Sequence, residues 1–250
     1  MPPLRYFVPN TFTALSLLLG LWSCAMSVRG NFELAAWMIL WGTLLDKADG
    51  TTARLCKATS QFGVQFDSFA DFVAFGIAPA ALLYFRVAGQ LTGWREMGLM
   101  LAAGLYVLAL AIRLSRFNLT SGTETVFYGI PGTLMGAVIA AGYLSWHKYE
   151  LSSSWLSYAP LYLIGAALLM VSSLRLPKLQ VRKSRVLNVL QIGNVLAAYI
   201  FGPLMIFPEY LFSVAVSYLV IGVLWCRFHR PLAEVVDLQK DESDPQEQAA

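Results

Sequence analysis

Charge is scarce in this sequence: 13% of its 250 residues are Asp, Glu, Lys or Arg, against about 25% in a soluble domain. So few charges cannot clothe a water-facing surface. The 57% of residues that are hydrophobic must therefore turn much of that surface toward lipid. A net charge of +3 is too small to mark a nucleic-acid binder, so no nucleic acid is expected among its partners. Cysteine is equally sparse. Cys24, Cys56 and Cys226 form no CxxC pair, which excludes a disulfide framework and a zinc pattern; they read as membrane-core residues. The two histidines, His147 and His229, sit near the ends of apolar runs with no partner at metal-ligand spacing, and read as interfacial.

Long apolar runs are what the sequence has in quantity. A membrane span needs about 20 of them, and eight runs qualify: Asn10–Val28, Phe32–Asp49, Phe62–Phe85, Trp94–Leu114, Pro131–Trp146, Trp155–Leu174, Leu187–Phe207 and Tyr210–Cys226. The first is longer than a signal-peptide core and lacks a small-x-small cleavage site, so a retained helix is expected. Pro208–Glu209 alone separates the last two runs, which predicts a tight helical hairpin. With the N-terminus placed inside, fourteen of the eighteen Lys and Arg fall on the inner side and Arg29, Arg86, Arg95 and Lys148 on the outer. Trp22, Trp37, Trp94, Trp146, Trp155 and Trp225 suit interfacial or lipid-facing positions, and Trp41 suits packing. Residues 1–230 are expected to form one transmembrane domain. Residues 231–250 are acid-rich without apolar periodicity and read as a solvated tail. The fold class expected is all-α, a polytopic transmembrane helical bundle of about eight spans.

Four acidic residues stand apart from the other eleven. Asp46, Asp49, Asp67 and Asp71 fall at the ends of two consecutive apolar helices, at or inside the membrane on the inner side. An intramembrane carboxylate costs a few kcal/mol or more unless compensated. Asp46 and Asp49 are spaced i,i+3, and Gly50 and Ala53 continue their helix face. Gly63, Asp67 and Asp71, at i, i+4 and i+8, form one stripe on the next helix. A short polar connection makes the two helices antiparallel neighbours, so the stripes can meet. One or two divalent cations would relieve both burial and repulsion, and carboxylate oxygens suit magnesium, manganese or calcium. Gly50 and Gly63 remove bulk where a diphosphate would approach, and Arg54 supplies a fork of donors for it. Such residues also occur as helix glue or proton relays in transporters, which leaves a metal-dependent transporter as a competing class.

The string Asp46-Lys-Ala-Asp49-Gly50-Thr-Thr-Ala53-Arg54, eight residues, then Gly63-Val-Gln-Phe-Asp67-Ser-Phe-Ala-Asp71 resembles the complete D-x2-D-G-x2-A-R-x8-G-x3-D-x3-D signature of the CDP-alcohol phosphotransferases. Within that family, Ser60-Gln-Phe-Gly63 through Asp71, Phe75-Gly76-Ile-Ala-Pro79 and Arg113-Leu-Ser-Arg116-Phe-Asn118 are most similar to bacterial phosphatidylserine synthases. Gly129-Ile-Pro131-Gly departs from those synthases by lacking a second proline and an alanine run. The departure bears on the acceptor alcohol.

The resemblance implies a six-helix core over about residues 10–174 with two added C-terminal helices, a bacterial inner-membrane location with the site facing the cytoplasm, and a homodimer. It implies transfer of a phosphatidyl group from CDP-diacylglycerol to a small polar alcohol, L-serine preferred over choline, inositol or glycerol 3-phosphate, with CMP released. Asp46, Asp49, Asp67 and Asp71 would hold two Mg2+ or Mn2+ ions, and Asp71 would be the catalytic base. Asn10, Thr13, Gly50, Ala53, Arg54 and Gly63 would line the nucleotide and diphosphate pocket. Arg113, Arg116 and Ser60 are candidates for the acceptor or a lipid phosphate; as an alternative, Arg113 and Arg116 are inner-side membrane anchors.

Overall fold

The computed structural model describes residues 7–56, 60–119, 126–177 and 185–228. Helices dominate: α1 (Phe7–Val28), α2 (Phe32–Leu55), α3 (Gln61–Asp71), α4 (Ala78–Ala88), α5 (Trp94–Leu119), α6 (Gly132–Lys148), α7 (Ala159–Val171), α8 (Arg185–Leu204) and α9 (Pro208–Phe228). A π-helical stretch, Phe72–Ile77, joins α3 to α4, and a 3-10 turn, Ser153–Tyr158, leads into α7. All eight expected spans are present as helices, and the protein is an all-α polytopic bundle. Five segments are long and apolar enough to cross a membrane: Phe7–Val28, Gln61–Ala88, Trp94–Leu119, Ser154–Val171 and Pro208–Phe228. The second span carries Asp46, Lys47 and Asp49, α6 has only 17 residues, and the apolar part of α8 is only Asn188–Leu204, so hydropathy alone passes over these three.

Local sequence explains the helix ends. Asn31 Oδ1 accepts from Leu34 N at 3.3 Å to start α2, and Ser60 Oγ accepts from Gly63 N at 3.0 Å to start α3. α9 opens on Pro208, whose missing N–H is no loss in a first turn.

Small residues let the helices approach closely, as lipid-embedded packing requires. A Cβ on Gly20 of α1 would lie 2.7 Å from Ala74 Cα in the π-helical stretch, and one on Gly132 would lie 2.2 Å from Leu110 Cδ1. Along the α1–α2 seam, Ser23 Oγ donates to Ala35 O at 2.8 Å and Ser16 Oγ to Gly42 O at 3.3 Å. The core lies among α2, α4, α5, α6 and α7, around Trp37, Phe75, Leu82, Leu99, Tyr106 and Leu163. Outward-facing Leu101, Leu105, Leu108 on α5 and Leu161, Leu168 on α7 give a lipid-facing surface.

α2 runs beyond its apolar stretch to Leu55, carrying Gly50 and Ala53 on the face expected of them and leaving a short connection to α3. Expectations are corrected at four points: the third span, the α5–α6 connection, Trp37 and Cys56. The third span is not one regular helix: a π-helical stretch follows Asp71 directly. A short antiparallel pair, β1 (Val126–Tyr128) with β2 (Arg175–Pro177), ties the α5–α6 connection to the end of α7. Trp37 is not lipid-facing but 2% exposed, because its helix face packs into the core. The last hairpin forms as expected, turning through residues 205–207. Trp41 does pack: its Nε1 donates to Gly202 O at 2.8 Å and docks α8 on α2. All three cysteines are free, though Cys56 is exposed rather than in the membrane core. The expected tail at 231–250 and His229 lie outside the described residues.

Candidate active site

α2 and α3 bring their acidic stripes together. One carboxylate oxygen from each of Asp46, Asp49 and Asp67 lies within 4.8 Å of the other two. At that spacing two carboxylates repel by about 3 kcal/mol or more at an effective dielectric of about 20. Among the described residues, neither ion pair involves these carboxylates. Asp49 is 6% exposed, so it has little water to hold its charge. Ligands at about 2.1 Å from a magnesium ion are at most about 4.2 Å apart, so a small side-chain rotation brings the three oxygens around one centre. The donor set therefore fits a hard divalent cation.

Neighbouring residues hold this arrangement. Thr13 of α1, buried, donates its hydroxyl to Asp49 Oδ2 at 2.7 Å and also lies 3.2 Å from Pro9 O. Asp71 is outside the tight three-oxygen group. It lies beside Asp46 and within electrostatic reach of Arg113. The π-helical stretch begins at the next residue, and such bulges recur at functional sites. Tyr106, fully buried on α5, donates its hydroxyl to Phe75 O at 2.8 Å inside that stretch. It supplies a donor where the regular helical ladder is interrupted.

The other residues singled out from sequence divide into two groups. A Cβ on Gly50 would meet nothing within 4 Å, so the face beside Asp49 is open. Ala53 is half-buried one turn further on, and Arg54 is exposed with no ion pair among the described residues. Gly63 sits against α1: its Cβ would lie 3.5 Å from Asn10 Oδ1 and 3.2 Å from Ser60 Oγ. Ser60 is occupied as the cap of α3, which is a structural task. Arg113 and Arg116, three residues apart, part company. Arg116 is exposed and donates from one guanidinium nitrogen to Val171 O at 3.0 Å. Arg113 is 8% exposed, and its Nε is buried without a hydrogen-bond partner. Such burial is unlike a membrane anchor, whose charge reaches the interface.

Thr133 and Tyr199 escaped the sequence reading, as did the pairing of Ser68 with Asn118. Thr133, at the start of α6, is a neighbour of the Asp46 carboxylate. It follows directly on the Gly129–Gly132 loop, and a hydroxyl in that position was the available signal. Asn118 and Ser68 hydrogen-bond across α5 and α3 at 3.0 Å. Tyr199 of α8 lies within electrostatic reach of Asp46 and Asp49, and donates to Leu44 O at 2.8 Å. Nothing local marks it, because α8 reaches the site only through tertiary packing.

The sequence profile of CDP-alcohol phosphatidyltransferases matches residues 6–172. The chain belongs to this family. It is 37% identical over 177 residues to the CDP-diacylglycerol–serine O-phosphatidyltransferase of Helicobacter pylori, covering 69% of this chain and 72% of that one. It is 30% identical over 175 residues to the protein of the same name from Bacillus subtilis, covering 68% and 90%. The archaetidylserine synthase of Methanothermobacter thermautotrophicus is 30% identical over 173 residues, covering 68% and 70%. The family match ends before α8, so the α8–α9 hairpin lies outside the region the profile describes.

Proposed function

We propose that the chain transfers the phosphatidyl group of CDP-diacylglycerol to L-serine, forming phosphatidylserine and CMP, at the Asp46–Asp49–Asp67–Asp71 site. The relatives named above differ in the lipid they act on but share serine in their names, which favours that acceptor. The observation that carries the choice is Arg113. A buried guanidinium with an unpartnered Nε beside Asp71 suits a carboxylate, which serine brings and choline lacks.

Asp46, Asp49 and Asp67 would hold one divalent ion in this reading, and Asp71 would contribute to a second; Mg2+ and Mn2+ both suit the oxygen set. Bound ions would neutralise the diphosphate and the charge developing on phosphorus. The chain's own groups do the rest. Thr13 fixes the rotamer of Asp49. The open face at Gly50, with Ala53 and Arg54 beyond it, admits the diphosphate, while Asn10 and Gly63 close the α1–α3 side. Arg113 grips the serine carboxylate and so sets the hydroxyl near Asp71. Asp71 takes the hydroxyl proton as the serine oxygen bonds to phosphorus, and the phosphorus–oxygen bond to CMP breaks with its electron pair leaving on CMP.

Residues 1–230 act as one catalytic unit in this reading. The unit sits in the bacterial inner membrane with the Asp cluster toward the cytoplasm, where serine and CMP are soluble, and works as a homodimer. The test is CMP release by purified protein from CDP-diacylglycerol with serine, choline, inositol or glycerol 3-phosphate, under Mg2+ and Mn2+. Serine alone should support turnover. Arg113→Ala should raise the serine KM at least about tenfold, near 1.4 kcal/mol, with the CDP-diacylglycerol KM unchanged. Turnover with another alcohol in preference to serine overturns the acceptor assignment.

A further inference from the structure

The α8–α9 hairpin lies beyond the family match at residues 6–172, yet it docks on the core at two places that lead to Asp46. On the first side, α8 lies along α2. Trp41 Nε1 donates to Gly202 O at 2.8 Å, and the Tyr199 hydroxyl donates to Leu44 O at 2.8 Å. The two bonds are reciprocal: residues three apart on α2 meet residues three apart on α8, so one turn of each helix faces the other. A Cβ on Gly202 would lie 2.7 Å from Leu44 Cδ1, so glycine is what lets α8 come this close. Leu44 stands two residues before Asp46, and Tyr199 lies within electrostatic reach of Asp46 and Asp49.

On the second side, α9 lies against β2. The Tyr218 hydroxyl donates to Pro177 O at 2.6 Å. One turn later, a Cβ on Gly222 would lie 2.7 Å from Leu176 Cδ1 and 3.1 Å from Pro177 Cδ. β2 in turn fixes β1, with Leu176 opposite Phe127 and Arg175 opposite Tyr128. The chain leaving β1 is pinned at once. Gly129 N donates to Leu174 O at 2.8 Å, and Ile130 N to Leu169 O at 3.1 Å. Three residues after Ile130, Thr133 stands beside the Asp46 carboxylate.

Two routes from one hairpin therefore end on one carboxylate. Each hydrogen bond on them adds little to stability in a bilayer. What they set is the placement of α2 and of the Thr133 loop relative to each other. Oxygen ligands around a magnesium-sized ion tolerate little displacement, so that placement bears on metal binding. A bond internal to the hairpin gives the contrast: the Tyr210 hydroxyl donates to Asn194 Oδ1 at 2.6 Å and links α9 to α8 without touching either route.

We propose that the α8–α9 hairpin is a two-armed positioning clamp for Asp46. Tyr199 acts through Leu44 of α2, and Tyr218 acts through Pro177, the β1–β2 pair and Thr133. The clamp rests on the reading of Asp46 as a metal ligand.

Mn2+ binding to purified full-length protein is followed by electron paramagnetic resonance, and the metal-free Tm is measured alongside. The proteins are wild type, Tyr199→Phe, Tyr218→Phe, Tyr210→Phe, Thr133→Val and the double variant Tyr218→Phe/Thr133→Val. Tyr199→Phe and Tyr218→Phe should each weaken Mn2+ binding at least about threefold, with Tm within about 2 °C of wild type. Tyr210→Phe should keep the wild-type affinity. Adding Tyr218→Phe to Thr133→Val should weaken binding no further, because both lie on one route. Wild-type affinity in either Tyr199→Phe or Tyr218→Phe, an equal loss in Tyr210→Phe, full additivity in the double variant, or losses that simply follow Tm would overturn the clamp and leave the metal centre standing. Absence of Mn2+ binding by the wild type would instead remove the metal centre, and the clamp with it.

Discussion

Thr13→Val removes a hydroxyl from the site while nearly keeping the side chain's shape. The hydroxyl is 4% exposed at the residue level and donates to Asp49 Oδ2 at 2.7 Å, the shorter of its two contacts. A hydrogen bond to a charged group contributes about 1.5–3 kcal/mol, and valine offers nothing in its place. Asp49 would keep its place on α2 but lose the partner that selects its rotamer. Losing the partner of a metal-binding side chain costs roughly 10–100-fold in metal affinity, which agrees with that energy. The assay is CMP release against Mn2+ concentration with both substrates saturating. The half-activating Mn2+ concentration should rise by roughly 10–100-fold, with the rate at saturating metal changed only a few-fold. Thr13→Ser, which restores the hydroxyl, should recover most of the affinity. An unaltered Mn2+ requirement in Thr13→Val, or a serine variant as impaired as the valine one, would refute the reasoning.

Other substitutions probe the frame around the site. Gly129 has φ of +72° and a Cβ there would lie 2.1 Å from Met170 O. Gly129→Ala should therefore lower stability by about 1–3 kcal/mol or more, seen as a lower Tm in detergent. Tyr106→Phe leaves Phe75 O without its buried donor, and should cost about 1–3 kcal/mol in the same assay while the serine KM holds. Gly20→Val would drive a side chain into the Ala74 backbone at 2.7 Å, which cannot retreat without moving the π-helical stretch. Loss of folded protein in detergent is expected, measured by size-exclusion recovery.

Much of the site was legible because its spacing is helical. Asp46 with Asp49, and Gly63 with Asp67 and Asp71, share faces by periodicity alone, and the fold brings those faces together. Apolar runs located all eight helices, although α2, α6 and α8 fall short of a span by charge or length, and the apolar run of α2 ends at Asp49 while the helix carries Gly50 and Ala53 on to Leu55. The π-helical stretch had no local signature, since it depends on packing against α1 and on Tyr106 from α5. Ser60 caps α3, a task that a serine just before a helix signals by itself. Arg113 and Arg116 look alike in sequence, both basic and near one helix end. Only packing separates a buried guanidinium from one that bonds Val171 O. Trp37 shows the same limit: aromatic content does not say which side of a helix faces lipid.

The most direct test of the metal centre is an Mn2+ titration of purified full-length protein by electron paramagnetic resonance, with Asp49→Asn and Asp67→Asn in parallel. Wild-type protein should bind Mn2+ in stoichiometric amounts. Each substitution should weaken binding by at least about tenfold and lower CMP release in step, while the metal-free Tm stays level or rises as carboxylate repulsion is relieved. Equal Mn2+ affinity in all three proteins, or no binding by the wild type, would contradict the assignment of these aspartates as metal ligands.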